Sequence, residues 1–166
     1  MVLTMLRFTA RGFLALMPAV IALPVLAQTA NFDSLTLAPG FKSSQAVVSG
    51  NTGGSFSLPS IVLALKKESS DRNKNQCIGF GSQKPDHIIH LQQDFPKLRV
   101  RVNSGGKDTT LIIKGPEDVI RCGDDTGSRK DASVEDTNWK SGKYLVWVGS
   151  IETGQKWNYQ VSVEQP

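Results

Sequence analysis

The sequence predicts an all-β protein: a single jelly-roll-like antiparallel β-sandwich behind a cleaved N-terminal signal peptide. Three observations carry that reading. Trp157, Tyr159, Val161 and Val163 alternate with Asn158, Gln160, Ser162 and Glu164, and Leu98, Val100 and Val102 alternate with Lys97, Arg99 and Arg101. A period of two is that of a strand with one face on a core and one in water. Gly, Ser, Asn, Asp and Pro interrupt the chain roughly every ten residues, the turn spacing of a sandwich. No segment beyond the first residues sustains helical periodicity.

Residues 1–27 read as the export signal. Arg7 and Arg11 give a positive start, Phe13 to Leu23 is apolar apart from Pro18, and Val25-Leu26-Ala27 offers small residues to a signal peptidase. The apolar run is shorter than the ~20 residues that span a bilayer, so no stable membrane anchor is expected after cleavage. The arginines are not adjacent and no cysteine sits near the cleavage site, which argues against twin-arginine export and lipidation. The mature chain should begin near Gln28 and act in the periplasm or outside the cell.

One sandwich domain is expected over residues 28–166. Residues 28–54 are rich in Gly, Ser and Pro and read as an irregular N-terminal arm with a short strand at Ala46–Val48. Ser55–Leu65 and His87–Gln92 read as strands, with Lys66–Gln76 an exposed polar loop between them. Ser104-Gly-Gly-Lys107 and Lys114-Gly-Pro-Glu-Asp118 have tight-turn compositions. Between them, Leu111-Ile112-Ile113 is continuously apolar, as is Tyr144 to Val148, which suits central strands. Cys77 and Cys122, 45 positions apart in an exported chain, read as a disulfide rather than a catalytic thiol, because no histidine is placed to activate one.

Charge excludes one class of partner. The chain carries 19 Lys and Arg against 15 Asp and Glu, and two of the cations lie in the signal, so the mature balance is 17 against 15. So near neutrality, no nucleic-acid partner is expected.

From about Pro85 to Glu164 the chain resembles the bacterial pre-peptidase C-terminal domain. The residues that carry the resemblance are the strand Leu98–Val102 with its Gly/Ser turn, the Asp-x-x-Leu strand at Asp108–Ile113, the acidic turn Asp124-Asp125, the Gly-x-Tyr strand at Gly142–Val148 and the closing aromatic strand Trp157–Val163. The front of the chain, Phe32 to Phe41 with Gly50 to Gly54, is similar to small exported bacterial proteins carrying such a domain alone. The resemblance implies a jelly-roll sandwich in a secreted protein and a metal site at the acidic turn. The chain departs from the family in having Lys107-Asp108-Thr109 where two acids often bracket a small residue, so fewer metal ligands are on offer.

Several groups of residues are candidates for chemistry. Calcium takes six to eight oxygens from carboxylates, carbonyls and water on a flexible loop. Asp124 and Asp125 in a Gly-flanked turn, Asp108 at a neighbouring strand and Asp131 are the candidate ligands, with Glu135 and Asp136 near enough in sequence to complete a shell. The alternative is that these acids solvate a loop balanced by Arg121, Arg129 and Lys130. Cys122-Gly-Asp-Asp-Thr-Gly-Ser128 superficially resembles a serine-protease nucleophile loop, but Thr126 stands where the serine belongs and neither His87 nor His90 is placed to serve it. His87 and His90 are three apart on a strand and therefore point to opposite faces, which disfavours zinc.

Two features suggest ligand binding. Trp139, beside Lys140-Ser-Gly142, is the best candidate for an exposed sugar-stacking ring, whereas Trp157 and Tyr159 share their face with core valines. Arg99 and Arg101, with Lys97, form a short basic stripe able to meet an anionic glycan or lipid headgroup, or simply the wet face of a strand. The expected function is a non-enzymatic exported binding or structural module, calcium its candidate cofactor, acting on a cell-surface glycan or an exported partner protein. The alternative is a secreted hydrolase or protease-accessory domain using Asp124 and Asp125 for chemistry.

Overall fold

The computed structural model describes residues 28–166, so the signal expected over 1–27 lies outside the described residues. Eleven strands run in chain order: β1 Leu35–Leu37, β2 Val47–Asn51, β3 Phe56–Ser57, β4 Phe80–Gly81, β5 His87–Leu91, β6 Phe95–Asn103, β7 Thr109–Lys114, β8 Ile120–Gly123, β9 Ser133–Trp139, β10 Gly142–Ser150 and β11 Asn158–Glu164. One sheet is built on β10, flanked by β5 and β7, with β1 outside β5, β8 outside β7, and β4 and β3 at its far end. The other has the order β2-β11-β6-β9. The chain passes from one sheet to the other between β1 and β2, β2 and β3, β5 and β6, β6 and β7, β8 and β9, β9 and β10, and β10 and β11. That winding is the jelly-roll-like sandwich expected. All strand pairs are antiparallel except β1 with β5, which is parallel.

The alternating segments became strands with the faces expected of them, except that Trp157 precedes β11 and is only partly buried. Leu98, Val100 and Val102 of β6 and Tyr159, Val161 and Val163 of β11 are buried between the sheets with Leu111, Ile113, Tyr144, Val146 and Val148. The continuous apolar runs have a separate cause. Ile112, Leu145, Trp147 and Ile88 point out of the far face of the β10 sheet into a second core with Leu58, Val62, Cys77, Ile120 and Cys122. Strands buried on both faces have no wet side to alternate with.

That second layer differs from the strand expected over Ser55–Leu65. After β3 comes a short helix α1, Pro59–Leu63, with Pro59 in its first turn and Val62 buried. Proline starts a helix readily, since the N–H it lacks would have no partner there. Residues 28–54 are also more ordered than expected, giving an edge strand to each sheet, with Leu35 and Leu37 buried. Among the described residues no helix is long and apolar enough to cross a membrane.

The Lys66–Gln76 stretch is not simply an exposed loop. Asp71 is buried at its tip. Its Oδ1 accepts from the backbone N–H groups of Asn73 (2.8 Å) and Asn75 (2.9 Å), and its Oδ2 from Asn75 Nδ2 (2.9 Å) and Cys122 N (3.1 Å). The carboxylate thus closes a tight turn and fastens it to β8. Beside it, Cys77 and Cys122 form the disulfide, with Cα atoms 5.1 Å apart.

Candidate metal centre

The register of β7 on β8 creates the acidic corner. Leu111 faces Gly123 in an antiparallel ladder, so the residue before β7 and the two after β8 arrive at the same end of the sheet. Those residues are Asp108, Asp124 and Asp125, and one carboxylate oxygen from each lies within 4.8 Å of the others. Gly123 permits the approach of this end to β9, since a Cβ there would collide with the Ser133 carbonyl. Ser133 N then donates to the Asp124 carbonyl at 3.2 Å, fixing the turn.

The electrostatics of the corner are those of crowded like charges. Burial raises the Asp124 carboxyl above its ordinary value, and the charges of Asp125 and Asp108 raise it further. Asp124 Oδ1 is buried and accepts no hydrogen bond from the described residues. One local cation answers the charge: Lys130 Nζ lies 2.8 Å from Asp108 Oδ2. Three hard oxygen donors on a turn suit a hard divalent cation, and water would have to supply the rest of a calcium shell. An ion there would also satisfy Asp124 Oδ1, with Lys130 displaced from Asp108.

The fourth proposed ligand is not at this corner. Asp131 Oδ1 accepts from Ser104 N at 2.7 Å and from Ser104 Oγ, while its Oδ2 accepts from Gly106 N at 3.1 Å. It closes the β6–β7 turn instead. Glu135 is also committed elsewhere, paired with Lys97 and Arg99 on the outer face of the β6–β9 ladder. Asp136 is half of a buried pair, its Oδ2 2.7 Å from Arg121 Nε and 2.6 Å from Arg72 Nη2.

The expected ligand-binding residues need correction. Trp139 is not an exposed platform: it is 2% accessible, packs 5.2 Å from the Tyr144 ring, and donates from Nε1 to the Asp136 carbonyl at 2.9 Å. Alternation would place Trp139 outward with Glu135 and Thr137, but Asn138 adopts φ 56° and breaks the alternation just before it. Asparagine is one of the few residues that enter this region readily. Arg99 and Arg101 are not a free basic stripe either. Arg99 Nε donates to Glu135 at 2.5 Å, and Glu164 reaches Arg99 Nη1 (3.4 Å) and Arg101 Nη1 (4.0 Å).

The histidines sit as parity required, His87 fully buried and His90 exposed. A carbonyl can only accept, so His87 Nδ1–H donates to the Asp33 carbonyl (2.8 Å), and neutral Nε2 accepts from the Tyr159 hydroxyl (3.1 Å). Burial lowers the His87 pKa. His90 faces Lys143 near the start of β10, whereas Asp108 directly precedes Thr109, which faces Ser150 at its end. Neither imidazole reaches the acidic corner. Thr126, at the nucleophile-like position, donates to the Asp131 carbonyl at 2.6 Å.

Two buried polar groups gave no sign of their burial in the sequence. Asp86 is 4% accessible and accepts from Val148 N (2.9 Å) and Asn31 Nδ2 (3.0 Å); burial pushes its carboxyl up to about 6 against the pull of those bonds. Arg121 is as buried as Trp139, on whose face it lies. A cleft of about 360 Å³ opens beside it, lined among others by Asp71, Asn75, Asp124 and Asp136.

Comparison with solved structures finds the 1.0 Å crystal structure of the pre-peptidase C-terminal domain of a collagenase from Bacillus anthracis. The two share 12% identity over 79% of this chain and 94% of that one, with a TM-score of 0.43. So distant a likeness carries no argument about this chain's fold, ligand or activity. No protein-family model matches the chain, and no curated protein matches it.

Proposed function

We propose that this chain is a non-enzymatic, exported β-sandwich module whose acidic corner takes calcium, and which acts on a cell-surface component or an exported partner protein. The observation that carries the reading is the convergence of Asp108, Asp124 and Asp125 with a buried, unsatisfied Asp124 oxygen. Neutralising three carboxylates that repel one another is what a divalent ion does best. The disulfide supports an oxidising compartment, periplasmic or extracellular. A ligand held only by the native state raises the thermal midpoint. Melting the oxidised protein in millimolar calcium and in chelator is therefore the test. A rise lost in Asp124→Asn supports the site, and identical midpoints rule it out.

A second reading rests on the same raised Asp124. Two neighbouring carboxyls, one of them raised by burial and by the charge beside it, are the kind of pair a hydrolase uses for general acid and base. The test that favours it is turnover of a glycoside or peptide substrate that disappears in both Asp124→Asn and Asp125→Asn.

A further inference from the structure

The outward face of β2, β11 and β6 divides by charge. One half carries Lys97, Arg99 and Arg101 of β6, paired with Glu135 and Glu164. The other half carries no charge at all. Ser49, Gln160 and Asn103 stand in register across three adjacent strands, and Asn51 faces Asn158 in the next row. All five side chains are exposed. Among the described residues, only Asn103 is engaged by the protein, its Oδ1 accepting from Gly105 N at 3.2 Å. The five line a shallow depression of about 550 Å³, with Phe32 and Tyr159 against the gap at Gly50. A Cβ at Gly50 would meet Tyr159 Oη at 2.6 Å and Phe32 Cδ2 at 2.8 Å, so only glycine leaves these rings in place.

We propose that this amide-lined face is a binding site for a neutral polysaccharide. The chemistry is complementary. Planar amides offer both donors and acceptors, as vicinal hydroxyls do, and a partly exposed ring offers an apolar wall to the C–H face of a sugar. Neighbouring strands are ~4.8 Å apart, close to the advance per sugar of an extended chain. A glycan lying across β2, β11 and β6 therefore meets one polar side chain per sugar. The cations of β6 on this face, Lys97, Arg99 and Arg101, are already paired with Glu135 and Glu164, so they add little for an anionic chain. This inference rests on the reading of the protein as a binding module and names its ligand class.

The test is affinity electrophoresis of the oxidised protein through gels containing dextran, laminarin, mannan or hydroxyethyl cellulose, with alginate as the anionic comparison, at low and high salt. At least one neutral polysaccharide should retard the protein, and salt should not change the retardation. The double variant Asn158→Ala with Gln160→Ala should weaken it roughly tenfold, the loss of two hydrogen bonds, while Arg99→Ala with Arg101→Ala leaves it intact. Three results overturn the inference: no retardation by any neutral gel, retardation by alginate alone that salt abolishes, or retardation indifferent to the Asn158 and Gln160 changes. If calcium still raises the melting point in those cases, the module reading survives and only the glycan site falls.

Discussion

Arg121 lies over the ring of Trp139, with its guanidinium carbon 4.1 Å from the ring centroid, while its Nε donates to Asp136 at 2.7 Å. The stack sits at the edge of the core where β8 passes β9. Burial pulls the Arg121 pKa down, and the charge of Asp136 opposes that pull. Burial likewise pushes Asp136 up, but Arg72, the Thr137 N–H and Arg121 together hold it below the ordinary carboxylate value.

The two ends of this pair are not equivalent. Asp136→Ala leaves a buried guanidinium without its counter-charge and should destabilise by about 3–5 kcal/mol. Arg121→Met keeps the packing on Trp139 and leaves Asp136 bonded to Arg72, so it should be markedly milder. Urea unfolding of both variants at neutral pH checks the order, and equal or reversed losses would count against it.

The disulfide ties the Asp71 turn to β8 across 45 positions. On the chain-entropy model, closing such a loop is worth ~4 kcal/mol. Cys77→Ala with Cys122→Ala should lower the stability by up to that amount, and reductant should then have no further effect. Denaturant titration with and without reductant reads both.

Asp86 should impose a pH slope of its own. Its carboxyl titrates near 6 in the folded protein against 3.8 for an ordinary aspartate, so the native state binds the proton more tightly. The stabilisation this gives is fully present below pH 3.8 and is lost as pH rises through about 6, a total of roughly 3 kcal/mol. His87 works in the opposite sense: its depressed pKa makes the native state resist protonation, so stability falls as pH drops below the unfolded value of 6.5. Asp86→Asn removes the first slope and leaves the second. Unfolding free energies of the variant and the parent between pH 4 and 8 should therefore converge at the acid end and separate above pH 6, with the variant more stable.

Much of the fold was legible because period two survives burial on one face, as in β6 and β11. The acidic corner was legible in part, since turn residues flanking paired strands must meet. What failed did so for local reasons. Trp139 read as exposed because the polar turn Lys140-Ser-Gly142 follows it, whereas the left-handed Asn138 turns it inward. Asp131 read as a ligand because sequence proximity does not show that its carboxylate is spent on the Ser104 and Gly106 N–H groups. Asp71 hid within a charged stretch, its burial visible only once the turn is seated on Cys122. The Glu135 and Glu164 partners of the arginine stripe depend on strand order, which no single strand encodes.

The most direct test of the acidic corner is calorimetric titration of the oxidised protein with calcium, run in two buffers of different ionisation enthalpy. Ion binding must expel the proton that the raised Asp124 carboxyl retains more readily than an ordinary aspartate. The expected result is saturable binding at one site, a proton release on binding that grows as the pH is lowered, and loss of both in Asp124→Asn. A flat titration at millimolar calcium, or binding that Asp124→Asn leaves unchanged, would contradict a calcium site built from Asp108, Asp124 and Asp125.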